Sequence, residues 1–275
     1  MTMVWIPAGT FVQGSPADEP NRWDDETQRQ VTLSGGFYMG IYQVTQGQYR
    51  SLMGRDGRLD AIYAGNDFGR GDDYPIYNIS WYDALVFCNK LSMAEGLAPA
   101  YRVCGSVNPF DWGSAPPRHN DAIWDAVATV PESNGYRLPT EAQWEYACRA
   151  GTSKAFNWDT DQITSSQANF DAANKLYNDS PAGEYRAKAA PAGSFPSNAW
   201  GLYDMHGNVW EWCWDWYGAY ADGPQADPAG SVPGPGRVLR GGSWISSGQG
   251  LRSARRGYFF PWGESCYTGF RLLRP

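Results

Sequence analysis

Cysteine is scarce in this 275-residue chain: there are five, an odd number, and none sits in a Cys-x-x-Cys pair. That density argues against a disulfide framework as the basis of the fold. Histidine is scarcer still, with only His119 and His206, too widely separated to read as a His/carboxylate facial triad for iron. No stretch approaches the roughly 20 apolar residues that a membrane span needs. No Lys/Arg-rich run occurs either, and 22 basic against 29 acidic residues leave a net charge of −7. Neither nucleic acid nor an anionic membrane is therefore expected as a partner. A Gly-x-Ser-x-Gly nucleophile elbow is missing, as are internal repeats. There is no signal peptide pattern, because Met1 leads straight into the strand-like Val4-Trp-Ile-Pro7. The expectation is a cytoplasmic protein, or one whose targeting segment has been removed.

What the chain does have is tryptophan and glycine, 14 and 32 residues respectively. Together they suggest a loop-rich fold nailed together by large side chains. Residues 4–14 and 31–41 alternate like strands and break at Pro and Gly. Between them, Asp18 to Gln30 is polar and charged, and is expected to be a solvated loop. Thr45 opens a short helix through Met53, with Gly54 at its end. Ser80 caps a second helix whose face includes Ala84, Leu85, Cys88 and Leu91 before Gly96. Thr140-Glu-Ala-Gln143 is a capping box for a third, with Trp144, Ala147 and Cys148 inward until Gly151. Residues 55–79 and 101–135 read as loops, and Pro224–Gly236 as a run crossing the surface. The sum is α+β: helices on a small, twisted antiparallel sheet with long loops. No boundary for a second domain is visible, so residues 1–275 are expected to form one domain.

The C-terminal tail interleaves two kinds of sequence. Arg237-Val-Leu-Arg-Gly-Gly-Ser-Trp244, Leu251-Arg-Ser-Ala-Arg-Arg256 and Gly269-Phe-Arg-Leu-Leu273 alternate apolar residues with arginine, as buried strands and turns do. Between them, Ile245–Gly250 and Gly257–Thr268 lack either period yet carry two Phe, two Tyr and a Trp. Aromatic residues on irregular backbone suit a surface that meets a partner.

The tail resembles the C-terminal half of the formylglycine-generating-enzyme domain, a variant of the C-type lectin fold. The resemblance extends upstream through Gly36-Phe-Tyr-Met-Gly40, Gln43-Val-Thr45, Tyr136-Arg-Leu-Pro-Thr-Glu-Ala-Gln-Trp-Glu-Tyr-Ala147 and Gly201-Leu-Tyr-Asp-Met-His-Gly-Asn-Val-Trp-Glu-Trp212. It implies that fold over nearly the whole chain and leaves the activity open, since one fold hosts many functions. Relatives that oxidise a target cysteine carry two cysteines at the positions occupied here by Ser246 and Leu251. Without thiolates there is no Cu(I) site. The resemblance also implies a structural calcium site using Asn208 and Glu211, with a second one involving Asn169. The alternative is that Asn208 and Glu211 satisfy backbone N–H groups and a frame arginine without any metal. Arg240, Arg252, Arg255 and Arg271 are expected to pair with structural carboxylates such as Glu141, Glu145 and Glu211.

A second branch of the same fold, the variable proteins of diversity-generating retroelements, matches the tail more closely. Such proteins end in a variable region, here about 237–275, whose adenine-containing codons are randomised and which closes in Gly-Phe-Arg. The resemblance implies a ligand-binding, receptor- or adhesin-like protein without catalysis, displayed at the cell surface if a targeting segment has been removed. Its contact residues would be Ile245, Ser246, Ser247, Gly248, Gly257, Tyr258, Phe259, Phe260, Trp262, Ser265, Cys266, Tyr267 and Thr268. Tyr and Phe supply contact area at low rotamer cost while Ser and Gly let the backbone adapt. The expected ligand is a macromolecule, a protein rather than nucleic acid, with no cofactor beyond structural calcium. The alternative is a formylglycine-generating-enzyme-like tailoring enzyme acting without the two cysteines.

Overall fold

The computed structural model describes residues 1–57, 66–116, 119, 121–174, 176–230 and 234–275. Within them the two alternating N-terminal segments become four strands. β1 (Met3–Ile6) is separated from β2 (Gly9–Gln13) at Pro7, and β3 (Arg29–Leu33) from β4 (Phe37–Gly40) at the Gly35–Gly36 pair. β4 is the centre of a sheet ordered β1-β4-β12, where β12 (Leu273–Arg274) is the end of the chain. The two termini are thus clasped on one strand, and the tail must return across the molecule to get there.

The sheet that carries the tail is ordered β10-β9-β7-β11. It comprises β7 (Trp210–Trp216), β9 (Arg237–Arg240), β10 (Arg256–Phe259) and β11 (Thr268–Phe270). β10 is its edge, antiparallel to β9, while β11 runs parallel to β7. Along β7 Glu211, Cys213 and Asp215 are buried and alternate with Trp210, Trp212, Trp214 and Trp216, of which Trp212 is buried and the others half-buried.

The expected helices form with the expected caps. In α1 (Gln46–Met53), α2 (Trp81–Ala94) and α4 (Glu141–Arg149), the side chains of Thr45, Ser80 and Thr140 accept from the third backbone N–H, and Gln48, Asp83 and Gln143 reach back. Each reciprocal pair satisfies two otherwise orphaned donors. Trp81 of α2, Trp144 of α4 and Trp212 of β7 are each fully buried. They fasten both long helices to the sheet.

Three loop expectations change. The 101–135 segment, of which 117, 118 and 120 lie outside the described residues, contains β5 (Tyr101–Arg102) paired with β6 (Ala128–Thr129) and the short helix α3 (Ala122–Asp125). Its Trp112 and Trp124 are buried and touch each other, and Trp124 packs on Tyr82, so it is a packed cover over α2. Pro224–Gly236, outside the described residues at 231–233, adds β8 (Gln225–Ala226) as a strand parallel to β3. The 18–30 segment is anchored by two buried carboxylates, Glu19 and Glu26, which reach a tail arginine described below. Of the 55–79 loop, residues 58–65 lie outside the described residues.

Candidate functional site

Charges buried in the frame are what hold the tail in place. Arg240 of β9 donates to Glu145 of α4 and to the carbonyls of Ser253, Ala254 and Arg255. Arg256 of β10 grips Glu141 through two N–H groups at 2.7 and 2.9 Å. Arg271 grips Glu211 at 3.0 and 2.9 Å. Each forked pair satisfies charge and geometry together, which an isolated buried guanidinium could not do. Arg252 departs from expectation: its partners are Glu26, bidentate at 2.7 and 2.7 Å, and Glu19. The acidic loop therefore folds inward because the tail holds a cation for it. Arg237 has π faces around it, with Trp81 and Trp216 at 3.7 and 3.8 Å from its guanidinium.

Glu211 and Asn208, the residues expected to hold calcium, are engaged by protein donors. The Glu211 carboxylate accepts from Gln43, from the Trp144 indole at 2.7 Å and twice from Arg271. Four donors fill the roughly four lone-pair positions of a carboxylate. The Asn208 side-chain oxygen likewise accepts from the Ala190 N–H at 2.8 Å and from Asn169 at 3.1 Å. Both residues thus serve the frame through their own hydrogen bonds.

The nucleophile candidates are equally committed to structure. At the two positions where the oxidising relatives carry thiols, Ser246 accepts from the Ser243 N–H at 3.0 Å and Leu251 is fully buried. Burial pushes the Cys148 thiol up to about 12 and raises Cys88 and Cys213 further, so none supplies a thiolate at neutral pH. His206 is the turn histidine expected: Nδ1 donates to the Leu251 carbonyl at 2.6 Å and Nε2 accepts from the Asn157 N–H at 3.2 Å. Burial lowers it to about 4. Among the described residues no group of three or more His, Cys, Asp and Glu side chains is placed to hold a metal ion.

What the tail does build is an open groove of about 590 Å³ beside the edge strand β10. It is lined by Arg255–Phe259, by Tyr267 and Thr268, by Trp210, Leu239 and Tyr217, and by Trp23, Asp24 and Asp25 of the acidic loop. Tyr258 lies 4.6 Å from Tyr217, centroid to centroid. Phe260 stacks on Trp262 at 5.0 Å with parallel planes and touches Phe259, extending the aromatic surface along the chain. A larger cleft of about 950 Å³ lies between β1 and α1, but the tail reaches it only through Leu272.

The predicted contact residues divide. Ile245, Tyr258 and Phe260 are exposed, at 38%, 48% and 44%. Ser246, Ser247, Gly257, Phe259, Trp262 and Tyr267 are half-buried. Gly248, Ser265, Cys266 and Thr268 are buried, and each has a framing task instead. A side chain at Gly248 would meet Tyr177 at 2.8 Å. The Ser265 carbonyl accepts from Asn78, and that of Cys266 accepts from the Trp244 indole. Thr268 opens β11 opposite Trp210. The Ile245–Gly248 segment does not line the groove, but the loop 19–26 reaches Gln249, the residue after that segment, as well as the groove. The Asn21 carbonyl accepts from Gln249 at 2.6 Å, and Trp23 lies under Arg255 at 4.3 Å.

Sequence reasoning missed Trp23, Asp24, Asp25, Trp210 and Tyr217. A signal for two of them was present: Trp23 is a lone aromatic in a charged run, and Trp210 falls on the outward phase of the Trp-x-Trp-x-Trp-x-Trp strand.

A family model for the sulfatase-modifying factor enzyme 1-like domain matches residues 1–275. The solved structure of Treponema denticola variable protein 1 is similar at a TM-score of 0.81 and 31% identity, covering 99% of this chain and 95% of that one. Chaperone protein LppX of Paenibacillus barcinonensis is 33% identical over 256 residues, 90% of this chain and 83% of its own length. The formylglycine-generating enzyme of Mus musculus is 30% identical over 295 residues, 98% of this chain and 74% of its own.

Proposed function

The chain belongs to the sulfatase-modifying factor enzyme 1-like family and has its C-type lectin fold, and from that premise we propose that it is a binding member without catalysis. In this reading residues 1–275 are one domain displaying a diversified C-terminal surface, about 237–275, to a protein ligand at the cell surface. It is the variable protein of a diversity-generating retroelement. The observation that carries the proposal is the division of the tail. Arg240, Arg252, Arg256 and Arg271 are locked in buried ion pairs, while Tyr258, Phe260 and Ile245 are exposed on loops and an edge strand. Such a division lets contact residues change without cost to the frame. Similarity to Treponema denticola variable protein 1 over nearly all of both chains supports the same reading.

Two measurements test it. Randomising positions 245, 258, 260 and 267 and selecting against an unrelated protein should give folded binders; a library that yields only unfolded chains would overturn the proposal. In the source genome, a near-copy of the DNA for residues 237–275, differing only at adenines, should lie beside a reverse transcriptase gene. The formylglycine-generating relatives favour a second reading, a tailoring enzyme that acts without the two cysteines. That reading predicts an aldehyde on a Cys-x-Pro-x-Arg peptide.

A further inference from the structure

Within the binding face just proposed, the groove beside β10 has a chemistry of its own. Its surfaces are aromatic, made by Trp23, Trp210, Tyr217, Tyr258 and Tyr267, and the anionic groups on its rim are Asp24 and Asp25. Trp23 is 49% exposed, and Trp210, which lines the same groove, is half-buried. An aromatic face carries negative quadrupole density and attracts a cation, more so where neighbouring rings exclude water.

Three details sharpen the preference. One oxygen of Asp25 accepts from the Tyr217 hydroxyl, but the other, Oδ1, is buried and has no hydrogen-bond partner. A carboxylate oxygen withdrawn from water with no donor is costly, and a donor entering the groove would relieve it. Next, the two guanidiniums at the groove are already engaged. Arg256 is forked onto Glu141, and Arg255 lies over the Trp23 ring, within the influence of Asp25 and Glu26. Arg255 is thus an internal example of a cation seated on that indole. Finally, Gly257 occupies an ordinary strand position with no positive φ, and a Cβ there would lie 3.4 Å from two atoms of the Trp210 indole. The Trp210 ring is open to the groove because position 257 has no side chain. A larger residue would fit the backbone and fill the space.

We propose that this groove receives the side chain of a lysine or arginine on a protein partner, with the cation against Trp210, Tyr258 and Trp23 and its donors directed at Asp25. The proposal rests on the binding-surface reading above and adds the chemical class of the anchor. The net charge of −7 favours the approach of a basic surface. Gly257 falls among the positions expected to diversify, so the pocket would belong to this sequence and be closed in siblings with a side chain there.

The probes are three short peptides, Gly-Gly-Lys-Gly-Gly, Gly-Gly-Arg-Gly-Gly and Gly-Gly-Glu-Gly-Gly, titrated into the full chain with the tryptophan indole N–H resonances observed by NMR. The basic peptides should shift the Trp210 and Trp23 signals with weak, saturable affinity, and the acidic peptide should not. Asp25→Asn keeps the acceptor for Tyr217 but removes the charge, and should weaken binding about tenfold or more. Gly257→Leu should abolish it by filling the groove. Each variant should keep its melting temperature within a few degrees, which separates loss of site from loss of fold. Shifts with the acidic peptide, or shifts that survive both substitutions, overturn the cation anchor. If the randomised library gives binders while the basic peptides leave both indoles unmoved, the anchor falls and the binding-surface reading stands.

Discussion

Strands β9 and β10 are hydrogen-bonded neighbours of equal length, yet they differ in almost every other respect. All of Arg237–Arg240 is buried between α4 on one side and the tryptophans of α2 and β7 on the other. In Arg256–Phe259 only Arg256 is buried, and β10 is the sheet edge. An edge strand needs its backbone pairing to stay in place, but its outward side chains touch few neighbours. One strand therefore has its residues dictated by the core. The other keeps its backbone and has outward side chains free to change. That contrast is the physical content of a variable region on a stable frame.

The largest effect should come from breaking the buried strand. Arg240→Ala leaves Glu145 charged and buried, with Arg149 as its remaining cation, and should cost about 3–5 kcal/mol in equilibrium urea unfolding. Trp244→Ala and Phe270→Ala, which remove buried aromatics, belong in the same range of roughly 3–5 kcal/mol. If Tyr258→Ala were to cost as much as any of these, the two strands would not differ in the way described.

A smaller, pH-dependent effect concerns Asp215 on the buried face of β7. Its carboxylate accepts from the Glu141 N–H at 2.7 Å, yet burial, reinforced by the Glu141 charge, raises it to about 7. Between about pH 4 and 7 the unfolded carboxyl is ionised while the folded one keeps its proton, so this group makes stability fall as pH rises. His206, lowered to about 4 by burial, acts in the opposite direction below about pH 6.5, because there the unfolded chain binds the extra proton. Asp215→Asn retains the acceptor and removes the penalty. Its stability relative to the parent should grow from pH 4 to 7 by about 1 kcal/mol per unit. Thermal melts that stay parallel at all pH values would contradict the assignment.

Along the edge strand the effects should shrink and then vanish. Phe259 stacks on Trp212 at 6.3 Å, so Phe259→Ala is expected to cost about 1–3 kcal/mol, less than a fully buried ring. Tyr258→Ala and Phe260→Ala should each stay within about 1 kcal/mol, as exposed positions do, while removing affinity for whatever the surface binds. No effect is expected from Cu(I) and oxygen on a Cys-x-Pro-x-Arg peptide incubated with the protein, since Ser246 and Leu251 stand where thiols are needed. A mass change on that peptide, measured by mass spectrometry, would move the chain from binder to enzyme.

What the sequence determined by itself was local or motif-borne. Thr45, Ser80 and Thr140 specified helix starts because a cap and its reciprocal partner lie within four residues. The absence of cysteine at positions 246 and 251 could likewise be read directly. Tertiary structure decided everything that depends on which distant groups meet. Glu19 and Glu26 looked like solvated charges until Arg252 arrived from more than 200 positions away. The partners of Glu211 were equally hidden, because Arg271, Gln43 and Trp144 reach it from distant parts of the chain. The groove combines Trp23 and Asp25 near the start of the chain with Trp210, Tyr217 and Tyr258 near its end. A buried charge takes its meaning from its partner, and a concave surface from walls that the chain brings together only on folding, so neither could be read from one segment alone.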